Sequence, residues 1–274
     1  MAEESVSHSS LIGAPPTEVR AAIRRGAYAG HTAGLAAGYL QCNLAILPER
    51  YALDFLRFCQ RNPKPCPVVG VGDTGDPQMR TLGRDIDIRT DVSKYRVFRD
   101  GALSEEVTDI SNVWADDLVT VALGCSFTFE NALMRNDIPV RHIESGRNVP
   151  MFRTSIDLVP AGPFGGEMVV TMRPIPEHQI EQTRAICARY PQAHGAPIAS
   201  GDPAKIGIPD LSRPDWGDAV EIHDGEVPVY WACGVTPQNV LLAAGLPLCI
   251  THSPGHMLIA DVAEDAETTI LKQT

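Results

Sequence analysis

Short apolar runs and helix-spaced apolar stripes take turns along this chain. Val68 to Val71, Asp117 to Leu123, Val149 to Leu158, Met168 to Ile175, Val229 to Ala232 and Leu248 to Thr251 are compact and partly β-branched, and each predicts a strand. Thr17 to Arg25 predicts a short helix, set off by Pro15-Pro16 and stopped by Gly26. Leu47, Tyr51, Phe55 and Phe58 recur at helical spacing, so a second helix is expected over Pro48 to Gln60, ended by the segment Pro63 to Pro67. A third opens at Ser126 and carries toward Asn136, and a fourth, with a charged outer face, spans Pro176 to Arg189. Two stretches are less regular. His31 to Pro48 is nearly uncharged and rich in small residues, which let backbones approach closely or let a ligand sit on the main chain. Thr81 to Thr108 alternates polar and apolar positions among many charges and predicts exposed strands or hairpins.

The run from Pro228 to Met257 joins three of these signals. After the strand Val229 to Ala232, Thr236 suits an N-cap, Pro237 the first helical position and Gly245 the stop, and Leu248 to Thr251 is the next strand. Strand–helix–strand at this spacing predicts a parallel sheet with a right-handed crossover. The strand that feeds the Ser126 helix repeats the first half of the pattern. An α/β fold with a mostly parallel sheet is therefore expected, with ligands outside the carboxyl ends of the strands. From Arg141 the character changes. Two strands and a helix predict a small two-layer α+β unit over residues 141–194, inserted into a main α/β domain made of 1–140 and 195–274.

Composition narrows the partners. With 274 residues the chain can bury a substantial core, and 44% hydrophobic against 21% charged residues places it among globular proteins. A net charge of −11 disfavours nucleic acid and anionic membranes, which leaves a small molecule as the expected partner. A local arginine can still receive an anionic substrate. No apolar stretch approaches the roughly 18 to 20 residues that span a bilayer, and the polar, acidic N-terminus has no signal-peptide pattern, so a cytoplasmic location is expected. A homo-oligomer is left open. The seven cysteines are scattered and contain no CxxC pair, so reduced, mostly buried thiols are expected rather than a zinc or disulfide framework.

Candidate chemistry gathers at the predicted strand ends. His252 and His256 follow the last apolar run, separated by Pro254 and Gly255, so they belong to a loop rather than to a helical metal motif. A loop can still bring both to one ligand, with Asp261 as a further oxygen donor for a divalent metal ion. No cofactor is indicated with certainty, and the phosphate-loop spacings are absent. Cys233 and Cys125 each sit on a strand-to-helix turn, where a helix dipole favours thiolate; the alternative is a small packing residue. Glu130, one turn into its helix, is a candidate general base or a helix-stabilising carboxylate. Arg153 and Arg173 fall within strands, where a bidentate grip on a substrate carboxylate competes with an ordinary salt bridge. Asp73 and Asp76 suit turn formation or a substrate ammonium, and His31 and His194 stand beside small residues as candidate substrate contacts. Thr236 completes the candidate set, at the start of the last helix.

Eight segments together resemble the D-glutamate cyclase family: HTAGLAAGYLQCNLAILP, VGDTGDP, GCSFTFENAL, NVPMFRT, MVVTMRPI, HGAPIASGDP, VPVYWACGVTPQ and ITHSPGHM. They run from His31 to beyond His256. The resemblance implies an α/β fold with a three-layer αβα portion and a smaller two-layer portion. It also implies a hydro-lyase activity, the reversible loss of water from D-glutamate to give 5-oxo-D-proline, or action on a related small carboxylic acid. Residue roles come from the chain itself. His252 or Glu130 is the candidate base and His256 the acid, the amides of Gly234 to Thr236 suit an oxyanion, and Arg153 or Arg173 suits the α-carboxylate. Two alternatives stand beside this: a cofactor-independent racemase or dehydratase using Cys125 and Cys233, and a small-metabolite binding protein without turnover.

Overall fold

A computed structural model of the chain describes residues 5–266. It holds two antiparallel sheets with helices packed on and between them. In chain order the elements are α1 (His8–Leu11), α2 (Pro16–Arg24), β1 (Tyr39–Pro48), α3 (Glu49–Arg61), β2 (Val68–Val71), β3 (Tyr95–Arg99), β4 (Ala102–Val107), β5 (Leu118–Gly124), α4 (Phe127–Met134), α5 (Arg141–Glu144), β6 (Met151–Asp157), β7 (Glu167–Pro176), α6 (Ile180–Cys187), β8 (Ala199–Ser200), β9 (Glu226–Ala232), α7 (Val235–Ala243), β10 (Cys249–His252) and β11 (Leu258–Ala263). Among the described residues no helix is long and apolar enough to cross a membrane.

The larger sheet runs β2-β5-β1-β10-β3-β4, with β11 also on β1; the smaller runs β6-β7-β9-β8. Every pairing is antiparallel. The α/β class stands, but the expected parallel sheet does not. A strand–helix–strand run makes a parallel crossover only when both strands enter one sheet. Here β9 pairs with β7 in the smaller sheet and β10 with β1 in the larger, so α7 bridges the sheets instead of crossing over one. The smaller sheet takes β6 and β7 from residues 151–176 and β8 and β9 from 199–232.

β1 organises the larger sheet. It pairs with β5 from Cys42↔Gly124 to Pro48↔Leu118, while β11 and then β10 share its other edge. Its side chains alternate as a strand buried on both faces requires. Leu40, Cys42, Leu44 and Ile46 enter one core with Met79, Leu82, Ile86 and Tyr95. Ala45 and Leu47 enter a second core with Phe55, Phe58, Val240 and Leu241, covered by α3 and α7. Full burial of Phe55 and Phe58 contributes about 1.5–3 kcal/mol each. Gln41 and Asn43 lie on the same face as Ala45 and Leu47, yet they are polar and buried. They interrupt the apolar stripe at the end of β1 where the two sheets meet.

Candidate active site

Two strand-to-helix turns meet beside Asn43. β5 ends at Gly124 and turns through Cys125 and Ser126 into α4; β9 ends at Ala232 and turns through Cys233 and Gly234 into α7. The glycines make the approach possible. A Cβ on Gly124 would lie 1.6 Å from the Gln192 carbonyl oxygen, and one on Gly234 would lie 2.4 Å from Asn43 Nδ2. Asn43 Nδ2 donates to the Gly124 carbonyl at 2.9 Å, so the side chain against which Gly234 packs is tied to the other turn. Helix α7 starts one residue before the expected cap: Gly234 is the N-cap, and the Thr236 hydroxyl instead holds Val169, accepting from its N–H at 3.0 Å and donating to its carbonyl at 3.1 Å.

Between the turns lies an inner cavity of about 40 Å³, bordered by Asn43, Cys125, Ser126, Thr171, Cys233 and Gln238 among others. That is room for one or two water-sized groups. It adjoins an outer chamber of about 500 Å³, and Phe127, Asn148, Pro254 and Gly255 border both. The outer walls carry His31, Gln41, Glu130, Asn131, His142 and Arg147.

Arg173 sets the electrostatics. On β7 it shares a face with Thr171, as strand alternation predicts, and it is wholly buried. Its guanidinium donates to Thr171 Oγ1 at 3.1 Å, to Ser126 Oγ at 3.2 Å and to Glu130 Oε1, and it lies against the rings of Phe129 and Trp231. Both hydroxyls border the inner cavity. Each accepts from Arg173, so its own proton is free to be donated to an occupant. Burial alone raises the Glu130 carboxyl, but Arg173 and His142 outweigh it and hold it at about 2. His142 Nε2 lies 3.2 Å from Glu130 Oε1, within ion-pair distance, with no other partner for that nitrogen among the described residues.

The histidines of the C-terminal run part company. His252 borders the inner cavity, but both ring nitrogens are engaged: Nδ1 accepts from the Leu44 N–H at 3.0 Å, and Nε2 lies 3.1 Å from the Gln238 amide. Burial pushes its imidazole down to about 3, so it is neutral, with the proton on Nε2. The Gln238 amide nitrogen faces that proton at 3.1 Å, so the amide must be turned over for its carbonyl oxygen to accept it. His256 is outside both linings and bonds Ser93 Oγ through Nδ1 at 2.9 Å; burial, with Lys94 and His31 nearby, lowers it to about 4. Cys125 and Cys233 both border the inner cavity, where burial pushes the thiols up to about 12 and about 11. His31 borders the outer chamber against the ring of His8, with centroids 4.5 Å apart.

The remaining candidates lie elsewhere. Arg153 is on the surface, paired with Asp215 at 3.5 Å and stacked on Trp216. Asp73 is exposed, and Asp76 caps the Gln78 N–H at 2.9 Å and pairs with Arg80. His194 is buried outside the cavity linings and bonds the Lys64 carbonyl at 2.7 Å. Asp261 is taken by Arg20 at 2.8 Å. For the divalent ion weighed from the sequence, no group of three His, Cys, Asp or Glu side chains among the described residues converges to hold it. Asn43, Ser126, Thr171, Gln238, His142 and Arg147 border the cleft without having stood out in the sequence. Only the polar break in an otherwise apolar strand face could have flagged Asn43.

Residues 119–261 match the model of a family described as D-glutamate cyclase. A protein of Jannaschia sp. (strain CCS1), named "Putative hydro-lyase", is 74% identical over 252 residues, covering 92% of this chain and 95% of its own. One of the same name from Dinoroseobacter shibae is 60% identical over 97% of this chain and 88% of its own. A further hydro-lyase by name, from Ruegeria pomeroyi, is 61% identical and covers 98% of each chain.

Proposed function

The chain belongs to the D-glutamate cyclase family and is a lyase of the hydro-lyase class, and from that premise we propose that its cleft closes D-glutamate to 5-oxo-D-proline with release of water. One observation carries the assignment of the cleft. Arg173 sits behind Ser126 and Thr171, bonded to both hydroxyl oxygens, so two buried O–H donors backed by a fixed cation are presented to a cavity the size of a carboxylate. The first amides of α4 and α7 add positive potential at the same place. The substrate α-carboxylate binds there, and the rest of the molecule lies in the outer chamber.

Ring closure needs a neutral amine, a positioned γ-carboxyl carbon and a proton for the departing hydroxide. Glu130 borders the chamber as a fixed anion and receives the substrate ammonium. His142, with Nε2–H toward Glu130, keeps the Nδ1 lone pair to take one ammonium proton. The amine then attacks the γ-carbon, and the imidazolium protonates one oxygen of the tetrahedral adduct. The neutral imidazole next takes the second proton from the nitrogen of the new ring and passes it to the same oxygen, which leaves as water and gives the lactam. Asn131, Asn148 and Arg147 are the donors on the chamber wall for the oxyanion. Attack within one molecule makes the folded conformer the main requirement, which a closed chamber supplies. In this mechanism His252 positions rather than transfers a proton: it ties β10, β1 and α7 together behind the cavity.

The reading is tested by incubating the purified protein with D-glutamate and following mass loss of one water by mass spectrometry. Lactam formation in the wild type, reduced on the order of 100-fold in His142→Gln, is the expected result. Tight binding of D-glutamate with no lactam at any enzyme concentration would reject it.

A further inference from the structure

The two cysteines of the inner cavity have no part in the ring closure above, and their placement points to a second reaction. Each ends a strand and precedes a helix by two residues: Cys125 after β5 and before α4, Cys233 after β9 and before α7. The Cys233 sulfur accepts the first amide N–H of its helix, from Val235 at 3.4 Å, and the Phe127 N–H, first of the other helix, acts on the Cys125 thiol in the same sense. That contact favours a thiolate, against the burial that pushes both thiols up. The strands belong to different sheets, so the two sulfurs reach the same cavity from separate walls. Ser126 and Thr171 border the same cavity, both more than nine-tenths buried, and their protons have no protein acceptor among the described residues. A carboxylate on these donors occupies the cavity that both thiols border.

We infer that Cys125 and Cys233 are an acid–base pair that exchanges and inverts the Cα proton of the bound α-amino dicarboxylate, a reaction distinct from water loss. This rests on the reading that the inner cavity holds the α-carboxylate. One sulfur, as thiolate, takes the Cα proton and becomes a thiol. The C–H electron pair passes into the carboxylate as an enediolate, whose added charge falls on the Ser126 and Thr171 protons and the helix amides. The other sulfur, as thiol, gives its proton to the opposite face of Cα and becomes the thiolate. Carbon, protons and charge balance, and no oxidant, reductant or cofactor enters. Thiol protons exchange with solvent, so the incoming hydrogen is solvent-derived.

Both reactions are read in one tube. The full-length protein is incubated with D-glutamate in D₂O. Proton NMR follows the Cα hydrogen and the lactam signals, and chiral chromatography follows L-glutamate. The expected result is loss of the Cα proton signal with appearance of the L isomer, and exchange slower on the order of 100-fold in Cys125→Ser and in Cys233→Ser. An undiminished Cα signal in the wild type, or wild-type exchange in both serine variants, overturns the inference whether or not either variant folds well. Lactam without Cα exchange rejects the thiol pair and leaves the cyclase reading standing. Exchange without lactam supports the pair and rejects the cyclase reading.

Discussion

Arg173 is wholly buried, and a buried guanidinium persists only with its charge answered. Glu130 supplies the answer, and Ser126 and Thr171 accept one further N–H each, while Nε has no partner among the described residues. The arrangement has a pH signature. Glu130 has a folded-state value of about 2 against an ordinary 4.5, so it contributes stability that is complete above pH 4.5 and is lost as pH falls through 2. The full amount is on the order of 3 kcal/mol. His252 and His194 act earlier. Buried neutral at about 3 and about 4, they stay unprotonated in the fold while the unfolded chain takes up protons below about 6.5, so stability falls from there downward. Urea unfolding across pH is expected to show both limbs, and Glu130→Gln to flatten only the one between pH 4.5 and 2. An unchanged slope in that window would detach Glu130 from Arg173.

Among the elements, the two strand-to-helix turns are built to different tolerances, and this yields a graded prediction. A methyl on Gly124 meets the backbone oxygen of Gln192, which cannot swing aside; one on Gly234 meets the side chain of Asn43, which can. Gly124→Ala is expected to lower stability by about 3 kcal/mol, toward the upper end for overpacking, and Gly234→Ala by less. Thermal melts check the order, and a wild-type melting temperature for Gly124→Ala would contradict it. The same elements mark what could be read beforehand. β2, β5, β7, α2 and α3 follow from local periodicity, because their apolar faces are written within a few residues. β1 was concealed by its two-faced burial, which leaves no regular polar alternation, so the stretch read only as small and nearly uncharged. Strand direction was illegible for another reason. β1 pairs with residues near 120, 250 and 260, and no local pattern shows which sheet a strand joins. Of the site, Cys125, Glu130, Cys233 and His252 were visible as reactive types at turns. Thr171 and Asn43 acquire meaning only from Arg173 and Gly234, which lie near them in space.

At the scale of the whole molecule, a protein of net charge −11 holds a fully buried cation, Arg173, beside its inner cavity. Helix α7 runs from the smaller sheet to the larger, and the cavity, its cation and its paired turns lie where strands of both sheets end. The chamber outside it takes histidines from both ends of the chain's middle: His31 before β1 and His142 on α5. The central claim is that the Arg173-backed hydroxyls hold the substrate carboxylate. The most direct test is kcat/KM for D-glutamate in Ser126→Ala and Thr171→Val, singly and together, with melting temperatures taken alongside. Each lost bond to a charged group corresponds to about 1.5–3 kcal/mol, so each single variant is expected to fall at least about tenfold and the double variant at least about 100-fold, chiefly through KM. A folded double variant that keeps wild-type kcat/KM would contradict the account.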